Sequence, residues 1–78
     1  LLFIKEQEAY KMRISYNKLW KMLIDQNMNK RDLAEKSGVS TASIAKLSKG
    51  ANITTDVLLK ICEAMNCTLE DIMETVKD

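Results

Sequence analysis

Histidine and proline are absent from this 78-residue chain, and glycine occurs only twice. Without histidine, the two cysteines, Cys62 and Cys67, cannot complete the usual four-ligand zinc site within one chain. The sequence also contains no glycine-rich phosphate loop and no nucleophile with a plausible base partner, which argues against an enzyme. We therefore expect neither catalytic residues nor a metal or other cofactor.

Long hydrophobic runs are also missing, because charged residues interrupt every apolar cluster within a few positions. A membrane-spanning helix is therefore not expected, and we predict a soluble, cytoplasmic protein. Glycine and proline, which form the tight turns between strands, are scarce, so a sheet protein is not expected. Leu, Lys, Ala, Glu and Met, in contrast, favour helices. A chain of this length forms one small core, so we predict a single all-α domain.

The net charge of +1 is distributed unevenly along the chain. Residues 1–27 carry a charge of +2, residues 28–52 carry +3, and residues 53–78 carry −4. The basic middle segment is compatible with an anionic partner, although an excess this small is also typical of an ordinary solvated surface.

Four segments share one helix-start pattern, in which an apolar residue precedes a capping residue and a second apolar residue follows four positions after the cap. The four caps are Asn29, Ser40, Thr54 and Thr68. This pattern is a hydrophobic staple around an N-cap, and it predicts the starts of four helices. The last of them is expected to continue to Val76, because apolar residues keep helical spacing from Leu69 onward.

A fifth helix is predicted before these, over about residues 17–26. Its apolar stripe is expected to face the core and comprises Leu19, Trp20, Leu23 and Ile24. We interpret Trp20 as a packing anchor rather than a base-stacking platform, since it shares its face with aliphatic side chains. Cys62 and Cys67 are interpreted as buried or half-buried reduced thiols rather than a redox switch.

The first residues fit this pattern less well. Met12 begins a stretch that looks like a natural start, so we treat residues 1–11 as an N-terminal extension whose origin the sequence leaves open, and residues 12–78 as the domain. A short strand is possible from Arg13 to Tyr16.

Two of the predicted helices are joined by a tight turn. The helix that contains Leu33 and Ala34 ends at Gly38, a residue that accepts the left-handed conformation, and Ser40 begins the next helix at once. Small Ala34 lets the two helices approach closely. The sequence therefore predicts a helix-turn-helix whose second helix runs from Thr41 to Ser48.

At these residues the sequence resembles the Cro and phage-repressor-like helix-turn-helix regulators, often called XRE-type. The resemblance covers roughly residues 17–76, and its matching segments are residues 29–34, 37–40, 43–47, 49–50, 58–65 and 67–72. It implies a compact five-helix, lambda-repressor-like domain and a bacterial, nucleoid-associated transcriptional regulator, with repression the expected action. One departure is Lys30, where many relatives carry a glutamine that braces a base-reading neighbour.

Helical phase places an arc of residues on the third helix opposite Ile44 and Leu47. From their chemistry, we assign the reading of bases to Thr41, Ala42, Ala45 and Lys46. Asn29 and Lys30 open the preceding helix, where amide groups and the helix dipole favour a phosphate. The resemblance adds Ser43, Lys49 and Asn52 as backbone contacts.

The expected partner is a double-stranded DNA operator bound by a homodimer. The family implies a dimer, and one small reader contacts too few bases to select a single operator. The candidate dimer surfaces are residues 1–16 and the last helix with Met73 and Val76. The alternative function is a protein-interaction adaptor or antitoxin on the same fold, for which the acidic last third would provide a surface.

Overall fold

The computed structural model describes residues 11–77, in which five helices are joined to a two-stranded antiparallel sheet. The elements in chain order are β1 (Met12–Ser15), α1 (Asn17–Asp25), α2 (Lys30–Ser37), α3 (Thr41–Lys49), α4 (Thr55–Met65), α5 (Leu69–Ile72) and β2 (Glu74–Lys77). The number and order of the predicted helices are confirmed. The predicted boundary between an extension and the domain stays a prediction, because residues 1–10 lie outside the described range.

The predicted N-caps all precede helices. The Asn29 side chain accepts a hydrogen bond from the backbone N–H of Asp32 at 2.8 Å, and the Asp32 carboxylate accepts one from the backbone N–H of Asn29 at 2.9 Å. Ser40 and Thr54 likewise cap α3 and α4, and Thr68 forms a capping box at the start of α5. Each of these contacts joins residues three positions apart, so the starts of the helices could be predicted from the sequence.

The core lies between the helices and is almost entirely apolar. Its largest fully buried side chains are Leu19, Leu33, Ile61 and Ile72. Trp20 is half-buried and packs against this core, as predicted for an anchor, but Ile24 is 73% exposed, so its predicted core position is wrong. None of the helices within residues 11–77 has the length and apolar character needed to cross a bilayer.

The C-terminal end differs from the predicted continuous helix. Helix α5 ends at Ile72, Met73 is extended, and β2 pairs antiparallel with β1, with Met12 opposite Lys77. The spacing of Ile72 and Val76 fits a helix, but adjacent β-branched residues, Thr75 and Val76, favour a strand once a partner is available. The prediction of a helix through Val76 is therefore wrong. The domain contains a small sheet in addition to its helices, so it is mostly helical rather than all-α.

The N-terminal strand is close to the prediction. It was expected at residues 13–16 and lies one residue earlier, at Met12–Ser15. Tyr16, which follows it, is buried. Lys18 ties α1 to the C-terminal part, since its ammonium donates to the backbone carbonyl of Glu70 at 3.1 Å and lies 3.8 Å from the Glu74 carboxylate.

The two cysteines are free thiols, with Cys62 buried and Cys67 half-buried, which confirms the predicted burial. Burial raises the pKa of both, that of Cys67 to about 11. Since the thiolate is the reactive form, a raised pKa favours the protonated, less reactive thiol at both positions near neutral pH. This chemistry supports a structural role; that mild oxidation leaves DNA affinity unchanged stays a prediction.

The capping box of α5 makes a pH-dependent contribution to stability. The backbone N–H and the hydroxyl of Thr68 both donate to the Asp71 carboxylate, at 2.9 and 3.1 Å, and these bonds lower the pKa of Asp71 below its ordinary 3.8. A carboxyl with a lowered pKa stabilises the fold above its unfolded-state pKa, and this contribution is lost as pH falls through the folded-state value.

We therefore expect Asp71→Ala to lower the free energy of unfolding at pH 7, and expect the difference from the unsubstituted protein to shrink as pH falls below about 4. Urea denaturation of both proteins between pH 7 and pH 2 measures this difference. A difference that stays constant over the whole range would contradict the assignment.

Candidate nucleic-acid interface

The turn between α2 and α3 is fixed by several hydrogen bonds. Gly38 ends α2 in the left-handed region, with φ of 75°, and its N–H donates to the carbonyl of Ala34 at 2.9 Å. The Ser37 hydroxyl donates to the carbonyl of Leu33 at 2.7 Å and accepts from the N–H of Val39 at 3.2 Å. Val39 itself is buried. These contacts hold α3 in one orientation relative to α2.

Helix α3 has a buried face and an exposed face. Ile44 and Leu47 are each only 2% exposed and anchor the helix to the core. The exposed face, here called the exposed ridge, comprises Thr41, Ala42, Ala45, Lys46 and Lys49. Two of its five side chains are single methyl groups, so the backbone of α3 can approach a flat surface closely.

A groove lies on each side of the exposed ridge. The first, of about 300 Å³, lies between the start of α2 and α3 and is lined by Lys30, Arg31, Thr41, Ala45 and Lys49, together with Ile44 and Ser48. The second, of about 220 Å³, lies between α3 and the start of α4 and is lined by Ser43, Lys46 and Asn52, with Ile53, Thr54 and Val57.

Seven of the nine predicted site residues line one of the two grooves. Of the residues assigned to DNA, the first groove brings together Lys30, Thr41, Ala45 and Lys49, and the second brings together Ser43, Lys46 and Asn52. Ala42 is exposed on the ridge, and Asn29 is exposed at the cap of α2. The structure thus places all nine residues on or beside α3 and the start of α2.

The side chains of Asn29 and Ser43 already form hydrogen bonds within the protein. The Asn29 carbonyl oxygen caps α2, so its amide NH₂ is the group that can donate to an external acceptor. Ser43 is half-buried, and its hydroxyl oxygen accepts from the Ser40 hydroxyl at 3.1 Å. Its own hydroxyl hydrogen can still be donated. Each residue therefore offers a donor to an anion.

Lys30 makes two contacts that sequence reasoning missed. Its ammonium donates to the hydroxyl of Ser48 at 2.7 Å and lies 4.6 Å from the centroid of the Trp20 ring. Ser48, to which the sequence analysis assigned no DNA contact, is exposed and lines the first groove. These contacts connect the start of α2 to α3 and to α1.

Arg31 was also missed, although it is exposed beside Lys30 and lines the same groove. The signal available in the sequence was a second basic side chain in the first turn of α2. With Lys46 and Lys49, these residues place four cations around the two grooves. None of the described residues that line the two grooves is acidic. The surface around α3 is therefore positively charged.

Comparison with known proteins decides the family. A family model described as the Cro/C1-type HTH DNA-binding domain matches residues 18–78. This chain belongs to that family. The match confirms the resemblance to helix-turn-helix regulators and the expectation that the protein is not an enzyme.

The Cro/C1-type domain is also similar to a solved structure, the crystal structure of transcriptional regulator VanUg, form II. The two chains are 50% identical and superpose with a TM-score of 0.81, over 90% of this chain and 93% of that chain. A search of curated proteins gives no match. The structural likeness confirms the lambda-repressor-like fold with five helices and a small sheet.

Proposed function

We propose that this Cro/C1-type regulator represses transcription by placing α3 in the major groove of a specific operator. The observation that supports this most directly is the exposed ridge, whose low profile and flanking cations suit a groove between two phosphate backbones. The major groove of B-DNA is about 12 Å wide and admits one α-helix. A protein acting on such an operator works in the cytoplasm, at the bacterial nucleoid.

The base-reading residues are four of the five residues of the ridge, namely Thr41, Ala42, Ala45 and Lys46. Lys46 is long enough to donate to guanine O6 or N7, and Thr41 can donate to or accept from a base edge. The methyl groups of Ala42 and Ala45 can contact a thymine methyl group. Sequence specificity then depends mainly on Lys46 and Thr41, because Ala42 and Ala45 distinguish only thymine, which has a methyl group, from the bases that lack one.

The phosphate contacts lie on both sides of the ridge. Lys30 and Lys49 line the first groove, and Asn29 precedes Lys30 at the cap of α2. Ser43 and Asn52 line the second groove. Because a helix in the major groove lies between two backbones, these two sets would each bind a different strand. Such contacts fix the position of α3 and contribute no direct sequence preference.

The decisive experiment is selection of bound fragments from random duplex DNA, followed by affinity measurements over a range of salt concentrations. Lys49→Ala should weaken all duplexes nearly equally and make the log-log salt dependence shallower by about 0.9, the contribution of one phosphate. The matched control is Lys21→Ala. Lys21 is an exposed lysine of α1 and follows Lys18 by one turn. The Lys18 ammonium contacts the backbone of Glu70, so this face of α1 points towards the C-terminal part of the domain rather than towards α3.

A protein-interaction adaptor or antitoxin would give a different result. Such a protein would select no duplex, and Lys49→Ala would behave like Lys21→Ala. Enrichment of one duplex sequence that is lost at high salt would support the repressor proposal.

We further propose that two copies bind one operator, with the β1–β2 sheet as the contact between them. The sheet lies outside the α3 ridge, and its Met12 and Ile14 are 54% and 37% exposed, which leaves apolar area to bury. Sedimentation with the selected operator should give two copies per duplex. In that complex, the two α3 helices should lie about 34 Å apart, one turn of the DNA. One copy on a single half-site would count against the dimer.

A further inference from the structure

We infer that Trp20 and Ser48 are positioning residues that hold the Lys30 ammonium in the first groove, ready to meet a DNA phosphate. The inference rests on the proposed function, because it assigns a phosphate as the third partner of this ammonium. It differs from the family's glutamine arrangement, since the held group here carries a charge.

The contacts of Lys30 join three helices. Lys30 is the first residue of α2, Ser48 lies in the last turn of α3, and Trp20 lies on α1. The Lys30 ammonium donates to the Ser48 hydroxyl at 2.7 Å, and one side of it faces the Trp20 ring at 4.6 Å from the centroid. A lysine ammonium has three donors and no acceptor. One donor remains for an oxygen at the mouth of the groove.

The position of this cation is unfavourable for the helix itself. The start of α2 carries the positive end of the helix dipole, where anions are stabilising and cations are not. The groove lining adds a further positive charge from Arg31. A bound phosphate would reduce this repulsion.

Holding the ammonium in advance affects binding through conformational entropy. An exposed lysine normally loses rotamer freedom when it contacts a partner, at a penalty of about two- to tenfold in affinity. The ammonium of Lys30 has already lost much of that freedom through Ser48 and Trp20. Among the described residues, Lys46 and Lys49 make no comparable contact, so they would incur the full penalty on binding.

The first test uses the DNA-free protein, which carries a single tryptophan. An aromatic ring shields protons above its face, so the εCH₂ protons of Lys30 should resonate upfield of those of Lys36, an exposed lysine in the last turn of α2. Trp20→Leu should abolish this shift, and Ser48→Ala should reduce it. A Lys30 shift equal to that of Lys36 in the unsubstituted protein would overturn the inference without reference to DNA.

The second test measures affinity for the selected duplex and for random duplexes as a function of salt. Trp20→Leu and Ser48→Ala should each weaken all duplexes by about two- to tenfold with the salt slope unchanged, because the phosphate contact is kept but is no longer pre-ordered. Lys30→Met should reduce the slope by about 0.9.

The double variants separate a positioning role from a structural one. In the Lys30→Met background, Trp20→Leu should have no further effect on affinity, whereas in the Lys49→Ala background it should keep its full effect. If Trp20→Leu weakens binding equally in both backgrounds, Trp20 acts through packing and this inference fails alone. If the unsubstituted protein binds no duplex, the proposed function and the phosphate role fail together, whatever the resonance of Lys30 shows.

Discussion

Leu33→Ala is expected to lower the free energy of unfolding by about 2 to 5 kcal/mol. Leu33 is 0% exposed on α2 and lies in the core cluster with residues of the other long helices. Truncation removes buried methyl groups and leaves a cavity that the short helices can close only in part. A 78-residue domain has a total stability of about 4 to 12 kcal/mol, so the substitution removes a large share of it.

Leu59→Ala provides the matched control, because Leu59 is a leucine of α4 that is 53% exposed. The same truncation there should lower the free energy of unfolding by no more than about 1 kcal/mol. Chemical denaturation followed by circular dichroism measures both variants. Equal losses at the two positions would contradict the described core.

Lys46→Ala is expected to weaken binding to the selected operator by about 1 to 3 kcal/mol and to weaken random duplexes much less. The reason is that a base-edge contact is made only with the correct sequence, whereas a phosphate contact is made with any duplex. Lys46 is exposed on the ridge and lines the second groove, away from the contacts of Lys30.

Competition binding with the operator and with random duplexes separates these effects, and Lys21→Ala again serves as the control. The side chain of lysine is flexible, so Lys46 can also reach a phosphate. In that case Lys46→Ala would weaken the operator and random DNA in equal proportion, and base reading would depend on Thr41 and Ala42.

The helix starts and the turn were predictable from sequence because they depend on contacts between residues no more than four positions apart. Asn29 and Asp32 form their capping box three positions apart, and Gly38 ends its helix through its own backbone freedom. The exposed face of α3 follows from helical phase alone once Ile44 and Leu47 are buried. The helix starts, the turn and the exposed face of α3 therefore required no long-range information.

The errors fall where distant residues decide the structure. Residues 73–77 have helical spacing, but β2 forms because β1, more than 55 residues earlier in the chain, offers a backbone to pair with. The contacts of Lys30 with Trp20 and Ser48 likewise cross between helices, so neither helical phase nor local spacing reveals them. Ile24 is exposed although Leu19 and Leu23 of the same helix are buried, so the apolar stripe of α1 alone did not reveal which of its residues face the core.

The pairing of β1 with β2 brings the two ends of the described chain together, since Met12 lies opposite Lys77. Among helices α2 to α5, the packed pairs are α2 with α3, α2 with α4 and α4 with α5, and each pair lies closer in sequence than the two strands do. Contacts between nearer segments tend to form earlier in folding. Closure between distant ends loses more chain entropy and is reached late. The helix-turn-helix is therefore expected to assemble before the sheet. Because Met12 and Lys77 lie opposite each other in that sheet, joining these two positions and opening the chain elsewhere by circular permutation should preserve the fold.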